Sequence, residues 1–239
     1  MGVSAIKGVM KLQQIVRSQT VRRIFLPGLV TLGIVWLLFL HSSLTLPEID
    51  LLKIENPTMT AFMQRYDGKA PLQYRFVPYS KISSYLKRAV VIAEDSSFFE
   101  HSGFDWKAIQ KAAEKNWEEK EFVRGGSTIT QQLAKNLYLS PSKNPFRKLK
   151  EIIITLELER KLSKQRILEL YLNVVEWGEG IYGAEAAAQY YFNTKASNLS
   201  PYQACWLAAI LPKPRYFQTH RNGPFIQRKT AMILGRMGI

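Results

Sequence analysis

The sequence predicts a mainly α-helical domain preceded by a single transmembrane helix. After residue 47, apolar side chains recur at the three- and four-residue spacing of helices that bury one face. Strand-like alternation is limited to residues 73–77, and the chain has no internal repeat. Before this domain, residues 24–40 carry no charge, and with their uncharged continuation they are long enough to cross a hydrocarbon layer of about 30 Å.

The charges around the apolar segment predict its orientation. Five Lys and Arg residues precede it, and the first acidic residue is Glu48, so the N-terminus is expected in the cytoplasm and the rest outside. A cleaved signal peptide is the alternative, but the segment is longer than a signal-peptide core and no small-x-small cleavage site follows it. We therefore divide the chain into a basic cytoplasmic N-terminus at 1–23, a transmembrane signal-anchor at 24–46, a connector at 47–80 and a main domain at 81–239.

The part of the chain after residue 47 is basic and has the size of one domain. It contains all 19 acidic residues and most of the 33 Lys and Arg residues. A basic surface outside a membrane suits anionic lipid headgroups or a phosphorylated substrate, and this location argues against nucleic acid as a partner. A solvated basic surface without a ligand is the alternative. The lone cysteine, Cys205, excludes an internal disulfide, and its apolar neighbours predict core packing.

Each predicted helix follows from its apolar spacing and from the residues that flank it. The first covers 82–94, and the second covers 104–117 with Asp105 as its cap. A third begins at Ser127 and ends before Pro141. The remaining elements are a helix that begins with the apolar residues at 149–156, a helix capped by Ser163, a turn at Gly178, Gly180 and Gly183, and helices at 184–192 and 201–211.

Two patterns that resemble binding motifs carry little weight. The segment 178–183 matches G-x-G-x-x-G, but it follows a helical pattern and no acidic residue comes at the required distance, so we interpret it as a turn. The three histidines, His41, His101 and His220, are too scattered for a histidine metal site. His101 is instead expected to order its own loop through hydrogen bonds.

Two glutamates are the candidate catalytic groups. Glu94 falls near the C-terminal end of its predicted helix, where backbone carbonyl groups and apolar neighbours would raise the pKa of a carboxyl group. A raised pKa suits a general base or acid that works near neutral pH, whereas a solvated carboxylate at the helix end is the alternative. Glu151 lies four residues after Arg147 on the same helix face, and for this pair the alternative is a surface ion pair.

A run rich in hydroxyl and amide groups, followed by cations, completes the candidate site. Residues 125–132 are too polar for ordinary core, and Lys135 and Lys143 follow them. Two carboxylates and several cations fit the transfer of a sugar away from a phosphate leaving group. In such a reaction a carboxylate activates the acceptor hydroxyl, and the cations stabilise the departing phosphate.

Four motifs in this region follow one another between residues 94 and 173. They are Glu94-Asp95-x-x-Phe98-x-x-His101-x-Gly103, Gly126-Ser127-Thr128-x-Thr130-Gln131-Gln132, Arg147-Lys148-x-x-Glu151 and Ile167-Leu168-x-x-Tyr171-x-Asn173. In this order they resemble the peptidoglycan glycosyltransferases of glycosyltransferase family 51, and we expect a monofunctional member. The resemblance implies a lysozyme-like helical head with a small membrane-proximal jaw lobe, so that 81–239 would be the glycosyltransferase domain. It also implies polymerisation of lipid II into β-1,4-linked glycan strands, with release of undecaprenyl pyrophosphate, on the periplasmic side of the bacterial inner membrane.

The same resemblance implies a role for each matched residue. Glu94 would be the base that deprotonates the 4-hydroxyl of the acceptor sugar, Glu151 the second essential glutamate, and Lys135 a ligand of the pyrophosphate. Lys111 and Lys143 stand where relatives often carry arginine, whose two-pronged phosphate contact a lysine cannot reproduce. The substrate-binding set is therefore predicted to be Ser127, Thr128, Gln131, Gln132, Lys135, Lys143, Arg147, Lys111, Phe98 and Asn173.

The implied cofactor is a divalent cation, Mg²⁺ or Mn²⁺, at the substrate pyrophosphate, without an organic cofactor and without a dedicated protein cage in the sequence. The implied partners are lipid II, the nascent lipid-linked glycan, the membrane and other proteins of cell wall synthesis or division. Two other functions fit part of the pattern: a lysozyme-like hydrolase that cleaves glycan, and a catalytically idle membrane scaffold of the cell wall machinery. The anchor and the cations disfavour the hydrolase, and the intact glutamates disfavour the scaffold.

Overall fold

The computed structural model describes residues 27, 28, 30, 31, 33, 47–110, 126–140 and 145–239. The chain divides into two compact units, residues 1–46 and residues 47–239. The few described residues of the first unit are helical, and most of the predicted anchor at 24–46 lies outside the described residues. Within the described part of the chain, no helix has both the length and the apolar character that a membrane span requires.

The second unit is mainly helical, as the sequence predicts. Residues 106–110 are also helical, at the edge of a stretch outside the described residues. Short 3₁₀ turns occur at Asp50–Lys53, Tyr79–Lys81 and Ala196–Asn198, and the strands are β1 (Gln73–Tyr74), β2 (Glu176–Gly178) and β3 (Ile181–Tyr182). The α-helices are α1 (Ala61–Gln64), α2 (Ser84–Glu94), α3 (Ile129–Tyr138), α4 (Pro145–Lys161), α5 (Lys164–Val174), α6 (Ala184–Phe192), α7 (Pro201–Ile210), α8 (Pro214–Thr219) and α9 (Pro224–Met237).

Helix α7 forms the centre of the core. It is apolar on every face, its residues 204–210 are all buried, and it packs against α2 and α9. Alanines at 204, 208 and 209 let these neighbours approach closely. Cys205 is buried, as predicted, with its sulfur 3.4 Å from the sulfur of Met237 on α9. The last helix of the domain is therefore held against the helix that ends at Glu94.

Helix caps explain where several elements begin. The hydroxyl of Ser163 accepts a hydrogen bond from the backbone N–H of Arg166, and the carboxylate of Asp105 accepts one from Ala108, so both predicted caps are confirmed. The third predicted helix begins two residues later than predicted, at Ile129 instead of Ser127. Thr128 caps α3 in a reciprocal box, in which its backbone N–H donates to the side chain of Gln131 at 2.9 Å.

The C-terminal helices α8 and α9 were not predicted. Each begins with a proline in its first turn, Pro214 and Pro224, a position where the fixed φ of proline suits a helix and its missing N–H costs nothing. The helix that the apolar residues at 149–156 predict is confirmed, and it starts four residues earlier, running from Pro145 to Lys161. The predicted helix 104–117 is confirmed for 106–110, and its remainder lies outside the described residues.

The segment 47–80, which the sequence predicts as a connector, packs onto the helical domain. Its side chains Ile49, Leu52 and Met63 are buried in the common core. The predicted strand near 73–77 is present as β1, which pairs in parallel with β3, while β2 pairs antiparallel with β3. Further along, Asn173 on α5 binds the backbone of Val77 in both directions, accepting at 2.8 Å and donating at 2.9 Å.

Replacing Gly183 with alanine should destabilise the domain by more than about 2 kcal/mol. Gly183 precedes α6 with φ +86°, and an added Cβ would lie 2.4 Å from the carbonyl oxygen of Asn173. Gly235→Ala is the matched control, because this glycine lies within α9 with open space around it, and alanine there should add about 0.5–1 kcal/mol. Thermal unfolding of both variants measures the difference, and equal Tm values would contradict the prediction.

Candidate active site

Glu94 is the last residue of α2, and its carboxylate is approached by side chains from two other helices, α3 and α9. One carboxylate oxygen, Oε2, accepts a hydrogen bond of 3.0 Å from the side-chain amide of Gln132 on α3. The other, Oε1, lies 3.8 Å from the ammonium nitrogen of Lys229 on α9. The Glu94 side chain is only 12% exposed, so it is not the solvated helix-end carboxylate that the sequence left open.

The orientation of Gln132 is fixed by Tyr171 on α5. The phenol of Tyr171 donates to the side-chain oxygen of Gln132 at 3.0 Å, which turns the amide nitrogen toward Glu94. Tyr171 is fully buried, and burial raises the pKa of its phenol well above the ordinary value, so it stays a proton donor. The side-chain amide of Gln132 is therefore held with its N–H group directed at the Glu94 carboxylate.

Burial raises the pKa of Glu94 above its ordinary value. The hydrogen bond from Gln132 and the positive charge of Lys229 act in the opposite direction without cancelling it. Burial likewise lowers the pKa of Lys135 and of Lys229. The sequence predicted the direction at Glu94, and a carboxyl group with a raised pKa is suited to exchanging protons near neutral pH.

Asp95 ties the end of α2 to the start of α3. One of its oxygens accepts the backbone N–H of Ile129 at 3.0 Å, and the other lies 2.9 Å from Nε2 of His101. Nδ1 of His101 accepts a hydrogen bond of 3.2 Å from the backbone N–H of Gly103. The ring hydrogen therefore lies on Nε2, which donates a hydrogen bond to Asp95. The prediction that His101 orders its own loop is confirmed.

A cavity of about 240 Å³ opens beside Glu94. The predicted hydroxyl-bearing residues Ser127 and Thr128 line it together with Glu94, so the structure brings the first two motifs to one place. Arg236 on α9 lines it as well. The full lining is Ile92, Ala93, Glu94, Asp95, Ser96, Asp105, Ala108, Gly126, Ser127, Thr128 and Arg236.

Glu151 on α4 is a buried carboxylate held between two cations. Its side chain is 5% exposed, Arg147 donates to it at 2.6 Å, and Lys148 donates to its other oxygen. The pair is therefore not the surface ion pair that the sequence left open. The negative charges of Glu151 and Glu94 both act on Lys135, where they oppose the lowering of its pKa by burial. The positive charge of Lys135 therefore interacts with both carboxylates.

Several predicted substrate-binding residues have other positions. Phe98 is fully buried, with the ammonium group of Lys164 4.4 Å from its ring centre. Asn173 is fully buried, and its amide is occupied by the backbone of Val77 and Glu169. Gln131 is buried within the cap of α3. The structure does not bring these three side chains to the cleft surface, and Lys111 and Lys143 lie outside the described residues.

The sequence interpretation missed Lys229 and Arg236. They are seven residues apart, two turns of α9, so both fall on the same face of that helix. No motif marked them, because α9 begins more than 50 residues after the last matched motif. The signal that could have found them is a pair of cations at helical spacing in a segment that follows a proline.

A helical scaffold that holds a largely buried carboxylate beside lysines is suited to an enzyme whose carboxyl group exchanges a proton next to a negatively charged substrate. Comparison with known sequences identifies the family. A family model described as Transglycosylase matches residues 60–238, and the chain belongs to that family. The first of its four motifs begins at Glu94 and the last ends at Asn173, well inside the matched range.

Close relatives cover almost the whole chain. A biosynthetic peptidoglycan transglycosylase of Dechloromonas aromatica is 50% identical over 222 residues, which are 90% of this chain and 94% of the relative. A protein of the same name from Nitrosospira multiformis is 50% identical over 84% of this chain and 90% of its own length. A third, from Chromobacterium violaceum, is 51% identical over 83% of this chain and 90% of its own length.

Glu94→Gln should raise the thermal stability of the domain at neutral pH. A glutamate whose folded-state pKa is raised contributes to the stability of the folded state. This contribution is complete below the unfolded-state pKa of about 4.3, and it is lost as the pH rises through the folded-state pKa. The amide of the variant does not ionise, so the variant does not lose this stability as the pH rises. We therefore expect the Tm of Glu94→Gln to exceed that of the wild type near pH 7.5 and to equal it at about pH 4. A gain of the same size at both pH values would contradict this origin.

Proposed function

We infer that this chain is a peptidoglycan glycosyltransferase that polymerises glycan in cell wall synthesis. The observation that carries the inference is the arrangement around Glu94, a largely buried carboxylate with one oxygen bound by Gln132 and with a hydroxyl-lined cavity beside it. Family membership and relatives at about half identity support the same function. The second buried carboxylate, Glu151, and the cations around it match the demands of a charged leaving group.

Lipid II and the growing lipid-linked strand are the proposed substrates, one as the sugar donor and the other as the acceptor. In the proposed step, Oε1 of Glu94 takes the proton of the acceptor 4-hydroxyl, since Oε2 already accepts from Gln132. The hydroxyl oxygen bonds to C1 of the donor sugar while the bond between C1 and the pyrophosphate oxygen breaks. The products are a strand lengthened through a β-1,4 linkage and undecaprenyl pyrophosphate, and Glu94 then releases its proton to solvent.

The proposed pyrophosphate-binding group consists of Lys135, Arg147 and Lys148. Glu151 accepts hydrogen bonds from the last two and so holds their side chains in place. Burial lowers the pKa of Lys135, which means that its charge is poorly solvated in the protein alone. A pyrophosphate beside Lys135 would supply the missing counter-charge, and the interaction would strengthen as negative charge develops on the leaving group.

A divalent cation, Mg²⁺ or Mn²⁺, is proposed to bind mainly through the pyrophosphate oxygens. In the ranges that the structure describes, no three His, Cys, Asp or Glu side chains form a group that could hold a metal ion. A cation carried by the substrate would add positive charge at the leaving group. The proposed proton transfer to Glu94 and the proposed pyrophosphate binding rely on side chains of the protein itself.

The proposed location is the outer face of the bacterial inner membrane, with the N-terminus in the cytoplasm and residues 24–46 as the anchor. A polyprenyl-linked substrate requires a site close to the membrane, and the proposed lysozyme-like head would reach it through a small jaw lobe between residues 98 and 145. In the described part of that stretch, Phe99 and Trp106 are 59% and 72% exposed, which supports a lipid contact. Other proteins of wall synthesis or division are proposed partners.

Polymerisation of lipid II by the full chain, followed by gel separation of the products, tests the proposed function. Glu94→Gln should reduce the rate by about 10²–10⁴, because the amide keeps the hydrogen bond with Gln132 but cannot take a proton. Glu100→Gln is the matched control, since this glutamate lies six residues on and is exposed. Cleavage of added glycan without polymer formation would favour the hydrolase, and inactivity of the wild type would favour the scaffold.

Lys135→Ala should lower both the polymerisation rate and the affinity for a phosphoglycolipid inhibitor such as moenomycin. Lys135→Arg keeps the charge with a different geometry, so we expect partial recovery. Lys81→Ala, which removes an exposed lysine of the Tyr79–Lys81 turn, controls for the loss of general positive charge. If Lys135→Ala behaved like Lys81→Ala in both measurements, Lys135 would not bind the pyrophosphate.

A further inference from the structure

Helix α9 places a lysine against the proposed base from a distant part of the chain. Lys229 lies 135 positions after Glu94, outside the four motifs, and its ammonium nitrogen is 3.8 Å from Oε1 of Glu94. The two side chains are 16% and 12% exposed, so solvent screens this pair much less than it screens an ordinary surface ion pair. Packing of α9 against α2 and α7 fixes the position of the lysine backbone.

The contact has a geometry that leaves the base usable. At 3.8 Å, Lys229 lies beyond hydrogen-bond distance from Oε1, so it acts on the carboxylate through its charge. The hydrogen bond from Gln132 goes to Oε2 instead. In the described part of the chain, no hydrogen bond to Oε1 is present, and this oxygen can therefore accept the proton of an incoming hydroxyl.

The other charged or titratable groups around Glu94 come from several elements. Asp95 follows it on the chain and opposes its ionisation, while Lys135 on α3 favours it more weakly than Lys229 does. The phenol of Tyr171 on α5 stays neutral. The shared cavity adds Asp105 and Arg236, which lie on its wall. Among the charges that act on Glu94, Lys229 makes the largest contribution.

We propose that Lys229 is a positioning residue of the glycosyl transfer reaction, which keeps Glu94 ionised as a base by facing Oε1 with a positive charge. The proposal rests on the proposed function, in which Glu94 acts as the base. Lys229 touches neither reacting sugar in this proposal, and its effect is carried entirely by Glu94. Removal of the charge should therefore change the pH at which the enzyme works rather than its maximal rate.

The pH dependence of lipid II polymerisation by the full chain tests this role. In Lys229→Met the acidic limb of the rate profile should move to higher pH by about one unit, so that the rate on that limb falls about tenfold. At high pH, where Glu94 is ionised without help, the rate should approach that of the wild type. Lys229→Arg should keep the wild-type limb, and Arg228→Met, which removes the exposed neighbouring charge, should leave it unmoved.

Two results would overturn the proposal: an unshifted limb in Lys229→Met, or a loss of rate of equal size at every pH, which would mark a structural or substrate-binding role. If Lys229→Met does not fold, Lys229→Gln takes its place, because the amide retains polarity at this largely buried position. A wild type that forms no polymer would instead contradict the proposed function, so the two failures are distinguishable.

A stability measurement tests the same coupling without relying on activity. Removing Lys229 raises the folded-state pKa of Glu94 further, so Lys229→Gln should lose stability relative to the wild type as the pH rises from about 4 to about 7. In a Glu94→Gln background the same substitution should have no pH-dependent effect over this range. An equal pH dependence in both backgrounds would overturn the proposal.

Discussion

The active-site arrangement depends on the two hydrogen bonds of the Asp95 carboxylate. This buried group accepts from the backbone of Ile129, at the first turn of α3, and from the ring of His101 in the loop between them. It thereby holds the C-terminal end of α2 against the N-terminal end of α3, although 34 positions separate them in the sequence. The free N–H groups at the start of a helix favour a negative partner, and Asp95 satisfies one of them. Glu94 lies beside Ser127 and Thr128 because Asp95 and Ile129, their neighbours in the chain, are hydrogen-bonded to each other.

Next to that junction, burial and charge act on Glu94 in opposite directions. Burial alone would raise the pKa of the carboxyl group further, whereas full exposure would leave the pKa near its ordinary value. The structure lies between these limits because Gln132 and Lys229 offset part of the cost of burial. The amide can do so because Tyr171 fixes its orientation, so a residue on α5 affects the carboxyl group at the end of α2 without touching it. Reduced stability of the folded chain at neutral pH is the physical consequence.

The features that the sequence predicts correctly are those set by near neighbours in the chain. The helix up to Glu94, the caps at Asp105 and Ser163 and the burial of Cys205 each follow from spacing or from a residue and its next turn. The structural role of Asn173 could not be predicted this way. Its amide hydrogen-bonds the backbone of Val77, 96 positions earlier, and this contact forms only because the segment that contains β1 packs onto the helical domain. Lys229 was missed for the same reason, since only the packing of α9 on α2 brings it beside Glu94.

That distance in sequence has a physical cause. A cation one turn before Glu94 on α2 would occupy position 90, where Val90 is fully buried in the core and an ammonium group would be unsolvated. One position after it, Asp95 is already committed to α3 and His101. A counter-charge for Glu94 must therefore come from another helix, with its stem packed along apolar surface and its end in the cleft. Lys229 meets this requirement, because α9 places its side chain 84% buried beside the carboxylate. The four motifs thus lie within 80 residues, while the electrostatic setting of the proposed base depends on packing across the whole helical domain.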